Sequence, residues 1–219
     1  MLNDDHIRDL IIKRLAFDSR IDSSQLAVEV SGGHVRLTGH IPSLAQKREL
    51  SLLVWTINSV TSVSNQLEIT PPLADDALAA SDVLSNVKIA LKINSGTSQI
   101  DPRIKVTDNV VTVSGVVDSL DKAKKVESII GDLAGVKEVV NLLTVVPTQE
   151  VSDEIIAHAI VESFKQNSDL DEAKFDVIVD EGKVTLEGRV LSVKTALQAY
   201  DCASRVIGVK DIDNKIIWD

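Results

Sequence analysis

One heptapeptide pattern occurs three times in this chain, as Val35–Ile41 (VRLTGHI), Val111–Val117 (VTVSGVV) and Val184–Val190 (VTLEGRV), each of the form V-x-[LV]-x-G-x-[IV]. A serine stands four residues after each glycine (Ser43, Ser119, Ser192) and an asparagine twenty-six residues after it (Asn65, Asn141, Asn214). The correspondence runs without a gap from Ile7 to Ile69, Val83 to Val145 and Ile156 to Trp218, 63 residues in each copy at spacings of 76 and 73. Self-similarity at a fixed period means one supersecondary unit repeated. The 219 residues therefore divide into repeat 1 (residues 1–70), a linker (71–81), repeat 2 (82–146), a second linker (147–152) and repeat 3 (153–219).

Each copy is read by periodicity, and the three check one another. Ile7, Leu10, Ile11 and Leu15 share one helical face, as do Val83, Val87, Ala90 and Leu91, and Ile156, Ala159, Ile160 and Phe164. Strict alternation follows in Leu26, Val28, Val30, in Ile104, Val106 and in Phe175, Val177, Val179, the pattern of a strand with one buried face. Short turns at Ser31–His34, Asp108–Asn109 and Glu181–Gly182 lead into the glycine-bearing strand, so the two strands form a hairpin. The recurring serine is placed to cap a second helix. That helix carries Leu50, Leu53, Val54, Ile57 and the columns Val126, Ile129, Ile130, Leu133 and Ala199, Cys202, Ala203, Val206. A last strand through Val63 and Leu67, Val139 and Leu143, or Ile212 and Ile216 is reached by a β-α-β crossover and is expected parallel to the glycine strand. The fold class is thus α+β: three tandem α-β-β-α-β modules, each a three-stranded mixed sheet with two helices on one face. Gly39, Gly115 and Gly188 are expected on a strand beside a helix, where the missing Cβ allows close packing or a bulge.

Composition narrows the function. Aromatic residues make up only 3% of the chain, leaving few platforms for stacked bases, and 23 basic against 33 acidic residues give −10, the wrong sign for a phosphate backbone. Nucleic acid is excluded as a partner. Cys202 is the single cysteine, expected as a small buried hydrophobe, so neither an intrachain disulfide nor a cysteine-based zinc site is available. His6, His34, His40 and His158 share no ligand spacing; His34 and His40 flank one strand, which would allow them to be neighbours, but they are read as surface imidazoles, and no metal or cofactor is expected. The acidic loops Asp169–Glu172 and Asp18 with Asp22 match no EF-hand. No nucleophile elbow, P-loop, dinucleotide fingerprint or H-E-x-x-H motif occurs, so no catalytic residue is named and an enzyme is not expected. Residues 1–6 show neither a basic n-region nor an apolar h-region. The chain as it stands is expected in the cytoplasm, or in the periplasm if a leader has been removed.

The module, with its V-x-[LV]-x-G-x-[IV] strand, capped helix and asparagine-bearing last strand, resembles the BON domain, and the resemblance covers nearly the whole chain. It implies a non-enzymatic module of bacterial stress proteins associated with phospholipid at a membrane surface; it also implies, as alternatives, potassium-ion binding in the cytoplasm or a protein partner.

Charge bears on the lipid expectation copy by copy. Residues 1–70 hold 7 basic and 8 acidic side chains, residues 71–146 hold 8 and 10, and residues 147–219 hold 8 and 15, so repeat 3 is the least suited to anionic headgroups. The candidate lipid-binding residues are Lys47 and Arg48 with Trp55 in repeat 1, and Lys122, Lys124 and Lys125 in repeat 2. An exposed tryptophan near cations suits an interfacial helix. The alternative is that Trp55 packs against a neighbouring repeat and the lysines form a solvated face.

Overall fold

The computed structural model describes residues 3–17, 25–57, 59–70, 79–171 and 175–218. Residues 71–78 of the first linker, the loop holding Asp18 and Asp22, and Glu172 lie outside the described residues. The chain divides into two compact units: Met1–Leu91 with Ile104–Thr112 and Ser128–Val140, and Lys92–Arg103 with Val113–Glu127 and Asn141–Asp219. Among the described residues no helix is long and apolar enough to cross a membrane.

Repeat 1 comprises α1 (Asp4–Phe17), β1 (Leu26–Ser31), β2 (His34–Ile41), α2 (Leu44–Trp55), β3 (Ser62–Asn65) and β4 (Glu68–Ile69). Repeat 2 comprises α3 (Ala80–Ile93), β5 (Arg103–Thr107), β6 (Val110–Val117), α4 (Leu120–Gly131) and β7 (Glu138–Val145). Repeat 3 comprises α5 (Asp153–Lys165), the short α6 (Ser168–Asp171), β8 (Phe175–Asp180), β9 (Lys183–Val190), α7 (Val193–Ser204) and β10 (Asp211–Trp218). The glycine strand is central in every sheet, giving the orders β1-β2-β3, β5-β6-β7 and β10-β9-β8. In repeats 1 and 3 the hairpin strand is antiparallel and the last strand parallel to the glycine strand, as β1 and β3 are to β2 and β8 and β10 are to β9.

The expected helical and strand faces are the buried ones. Ile7, Ile11, Leu15, Val35, Leu37, Ile41, Leu50 and Val54 form one core, and Ile156, Ile160, Phe164, Val184, Leu186, Ala199 and Ala203 form another. Val83, Val87, Leu91, Val111, Val113, Val126 and Ile130 are buried in repeat 2. The serines cap as expected: Ser43, Ser119 and Ser192 accept from the backbone N–H of Gln46, Lys122 and Thr195 at 3.2, 3.3 and 3.2 Å. Each satisfies a donor the first helical turn leaves unpaired. The hairpin turns place both central residues at positive φ, 58° and 78° at Gly32 and Gly33, 51° and 65° at Asp108 and Asn109, and 49° and 79° at Glu181 and Gly182. That is the turn whose twist matches the flanking strands.

Four details depart from the sequence reading. The last strand of repeat 1 is split at Gln66–Leu67 into β3 and β4, both parallel to β2. Cys202 is half-buried at the margin of its core instead of inside it. The Asp169–Glu172 stretch begins as part of α6, because Leu170 is drawn into the repeat 3 core. His34 and His40 sit on the same face of β2 but six residues apart, roughly 20 Å at a strand's rise, so they are not neighbours.

A carboxylate at the start of the first helix also fixes the hairpin in two repeats. Asp4 accepts from the N–H groups of Gly32 and Gly33 at 2.7 and 3.0 Å, and Asp153 accepts from Glu181 and Gly182 at 2.9 Å each. Repeat 2 has Ala80 at this position. The Gly32 bond, then the Gly33 bond, holds the Asp4 carboxyl below the ordinary value of 3.8. A depressed carboxyl contributes stability that is complete above its unfolded value and lost as pH falls through the folded one. Acid titration therefore weakens the repeat 1 latch below about pH 4. Asp153→Ala should lower the stability of repeat 3 by about 1–2 kcal/mol, and Ala80→Ser should change repeat 2 far less, as read by urea unfolding.

Candidate functional site

The candidate residues cluster on the second helices of repeats 1 and 2, and the first turn of each of these helices is set by its serine cap and by the last strand. Asn65 donates from Nδ2 to the Lys47 carbonyl and to Ser51 Oγ at 2.8 and 2.7 Å, while its Oδ1 accepts from Leu67 N. Asn141 does the same work, donating to the Ala123 carbonyl at 3.0 Å and to Glu127 Oε2 at 3.4 Å, and accepting from Leu143 N. Asn214 keeps the bond from Ile216 N at 3.1 Å. These bonds tie the helix to the adjacent strand, which fixes the direction of everything the helix presents.

The basic residues are largely engaged with the protein itself. Lys47 Nζ donates to the Leu67 carbonyl at 2.6 Å, and Lys122 Nζ pairs with Asp118 at 2.7 Å. Lys125 lies so near Gly96 that a Cβ there would overlap its side chain. Lys124 reaches from repeat 2 to α7 of repeat 3: its Nζ donates to Asp201 Oδ1 at 3.2 Å and to Ser204 Oγ at 3.1 Å, and stands 4.5 Å from the Tyr200 ring centroid. Leu120, one turn earlier on α4, packs against the repeat 3 core. Burial first, and then the Asp211 and Glu127 carboxylates, push the Tyr200 hydroxyl up from its ordinary value of 10.0.

Repeat 1 meets repeat 2 through the corresponding residues. Leu44 and Arg48 are the counterparts of Leu120 and Lys124 at the 76-residue spacing. Leu44 Cδ2 and Arg48 Nη1 each lie 3.8 Å from where a Gly131 Cβ would stand, at the end of α4. Partial desolvation raises the neighbouring Asp132 carboxyl from 3.8, opposed by the Arg48 guanidinium and reinforced by Glu49. Gly131 and Ser204 are themselves counterparts at the 73-residue spacing. The cation position, Arg48 or Lys124, thus reaches the same small residue of the next repeat's helix, while Leu44 adjoins Gly131 and Leu120 packs on the repeat 3 core. Trp55, the repeat 1 counterpart of Gly131 and Ser204, is half-buried.

Two further surfaces bear on function. An open depression of about 900 Å³ at the second linker is lined by Asp153, Glu181 and Lys210 among others. Its Asp153 carboxylate holds the hairpin, and Lys210 Nζ donates to the Glu181 carbonyl at 2.8 Å. In repeat 2 the strand residues Val116 and Leu142 are 64% and 58% exposed, with Val146 exposed just beyond and Arg103 exposed at the start of β5. Among the described residues no group of three or more His, Cys, Asp or Glu is placed to hold a metal ion.

The aligned copies, more than any one of them, carry the signal that sequence reasoning missed. Arg48 and Lys124 occupy one column and Asp4 and Asp153 another, and neither column is apolar, so neither shows in a hydrophobic period.

The family model described as "BON domain" matches residues 3–71, 76–147 and 152–219. Osmotically-inducible protein Y of Escherichia coli (strain K12) is 29% identical over 143 residues, which span 64% of this chain and 71% of that protein. Among solved structures, the C-terminal domain of CdsD, a structural protein of the type III secretion system of Chlamydia trachomatis, aligns over 100% of this chain and 98% of its own at 13% identity and a TM-score of 0.27. The PrgH periplasmic domain aligns over 90% and 96% at 12% identity and a TM-score of 0.23. Both scores are too low for those likenesses to bear on fold or function.

Proposed function

The chain belongs to the BON domain family, and from that premise we propose that it is a non-catalytic, osmotic-stress-associated protein that acts as a protein-binding scaffold. The stress association is drawn from its similarity to osmotically-inducible protein Y. The observation that carries the scaffold reading is the repeated docking of one second helix on the next repeat, by Leu44 and Arg48 at Gly131, by Leu120 on the repeat 3 core and by Lys124 at Asp201 and Ser204. The cations best placed for headgroups are turned inward onto carbonyls and carboxylates, which lowers their value to an anionic surface.

A second reading, an anionic phospholipid surface, is favoured by a different feature. Val116, Leu142 and Val146 expose apolar side chains on strands of repeat 2, with Arg103 at the edge strand. Insertion of such residues beside a cation is how peripheral proteins hold a membrane. Potassium is the third ligand class. Co-sedimentation with phosphatidylglycerol vesicles at low salt, run beside thermal melting in potassium and in sodium chloride, separates the three. The scaffold reading expects no vesicle-bound protein and equal melting in the two salts. Salt-sensitive sedimentation that Leu142→Asp abolishes would replace it with the lipid reading, and a shift in potassium alone with the ion reading.

A further inference from the structure

One edge of the repeat 3 sheet carries a charge that the sheet itself does not answer. Repeat 3 lies wholly within the second compact unit, and β8 is an edge strand of its three-stranded sheet. Val177 and Val179 turn toward the core, so the alternate residues Asp176, Ile178 and Asp180 stand on the opposite face, where all three are exposed. Among the described residues neither carboxylate takes part in a hydrogen bond or an ion pair. Across the ladder Asp176 faces Glu187, a like charge, and Glu187 itself is 3.7 Å from Lys215. Asp180 faces Lys183, whose Nζ is turned to Asp211 at 3.9 Å. Like charges directly opposite one another are destabilising. In repeat 1 the equivalent strand carries one carboxylate on this face, Glu29, and Arg36 on the next strand meets it at 3.5 Å. The position of Arg36 is Thr185 in repeat 3.

The backbone of the same edge is open. The two-residue turn at Glu181–Gly182 makes Asp180 and Lys183 a hydrogen-bonded pair, so Asp180, Ile178 and Asp176 direct their N–H and C=O groups to β9. Phe175, Val177 and Val179 direct theirs outward, and among the described residues no backbone bond from another element reaches them. Resting on the scaffold reading above, we propose that β8 binds an extended basic peptide segment, which joins the sheet as a fourth, antiparallel strand with Lys or Arg opposite Asp176 and Asp180 and an aliphatic residue opposite Ile178.

The register sets the chemistry of that segment. Residues opposite Asp176, Ile178 and Asp180 form the non-hydrogen-bonded pairs, in which side chains come closest, so charge is read most strongly there. The two carboxylates are about 13 Å apart at a strand's rise, which places the cations at i and i+4 with the aliphatic residue at i+2. The residues between them meet Val179 and Val177, half-buried at the margin of the core, and suit β-branched side chains. Main-chain bonds supply affinity in such strand addition and alternate side chains supply specificity. A second copy of this chain does not fit the edge, because antiparallel pairing about Ile178 sets Asp176 of each copy against Asp180 of the other. Charge of one sign thus blocks self-pairing and selects its opposite.

Fluorescence anisotropy with the labelled peptide GTKVIVKTG, titrated with the whole chain at low salt, tests this beside the acidic peptide GTEVIVETG and a form of the basic peptide N-methylated at both valines. The wild-type chain should bind the basic peptide, and the Val177 and Val179 amides should exchange more slowly in the complex. The acidic and N-methylated peptides should bind about tenfold more weakly or less. The double variant Asp176→Lys/Asp180→Lys should reverse the preference and take the acidic peptide; both residues are exposed, and unchanged circular dichroism melting checks its fold. Binding of the N-methylated peptide as tight as that of its parent overturns the proposal, since the contact is then charge attraction without a strand. No binding of the basic peptide, equal affinity for the basic and acidic peptides, or a double variant that keeps the wild-type preference overturns it as well. None of these results touches the scaffold reading, which falls to vesicle binding or a potassium shift.

Discussion

Gly39→Ala should destabilise repeat 1 by roughly 3–5 kcal/mol, the range reached by strain at a special backbone position combined with a steric clash. Gly39 holds φ at 116°, a region side chains rarely adopt, and a Cβ there would stand 2.0 Å from the Gln25 carbonyl oxygen. Backbone, unlike the tip of a flexible side chain, has little room to give, so β1 must move away from β2. A module of 63 residues is near the lower limit of independent stability. Such a loss should unfold repeat 1 at temperatures where the wild-type chain is intact. The matched control is Gly115→Ala, where φ is 148° and the nearest heavy atom, Pro102 Cα, is 3.5 Å from the added carbon. There the cost should be about 1–2 kcal/mol, from backbone strain with little clash. Urea unfolding followed by circular dichroism compares the two; equal losses would show that the Gln25 approach is not what makes Gly39 necessary.

The fold was readable because each module presents its inside as a period. Ile7, Ile11 and Leu15, or Val184 and Leu186, report a buried face without reference to any other element. Turn geometry at Asp108–Asn109 and the caps at Ser43, Ser119 and Ser192 are likewise local, set by one or two residues and their own backbone. The split between β3 and β4 and the short α6 were not readable. They depend on where Leu67 and Leu170 come to rest in a three-dimensional core, which no neighbouring residue specifies.

The candidate site was less legible for a related reason. Lys47, Arg48, Lys122, Lys124 and Lys125 are near one another in sequence, and a run of cations reads as one solvated patch. Their partners decide otherwise. Lys124 bonds a residue 77 positions away, Lys47 a carbonyl 20 positions away, and Lys122 a carboxylate four residues before it. Contacts between modules use polar and charged residues that no hydrophobic period singles out. They emerge once the copies are aligned and Arg48 and Lys124 are seen to share a column.

Amide hydrogen exchange in α7, measured on the full-length chain and on the Leu120→Asp/Lys124→Glu variant, tests most directly the claim that one repeat's second helix holds the next. Leu120 is at the first turn of α4, where an aspartate is well tolerated by the helix dipole, so repeat 2 itself should remain folded. Removing the Leu120 contact with the repeat 3 core costs about 1–2 kcal/mol of apolar burial. Setting a glutamate against Asp201 in place of a half-exposed ion pair adds about 1 kcal/mol. The account predicts exchange in α7 faster by roughly 30- to 160-fold at a tenfold change per 1.36 kcal/mol, with the amides of α3 and β5 unchanged. Exchange in α7 equal to that of the wild type would contradict it, and would leave the three repeats as independent modules that share a chain.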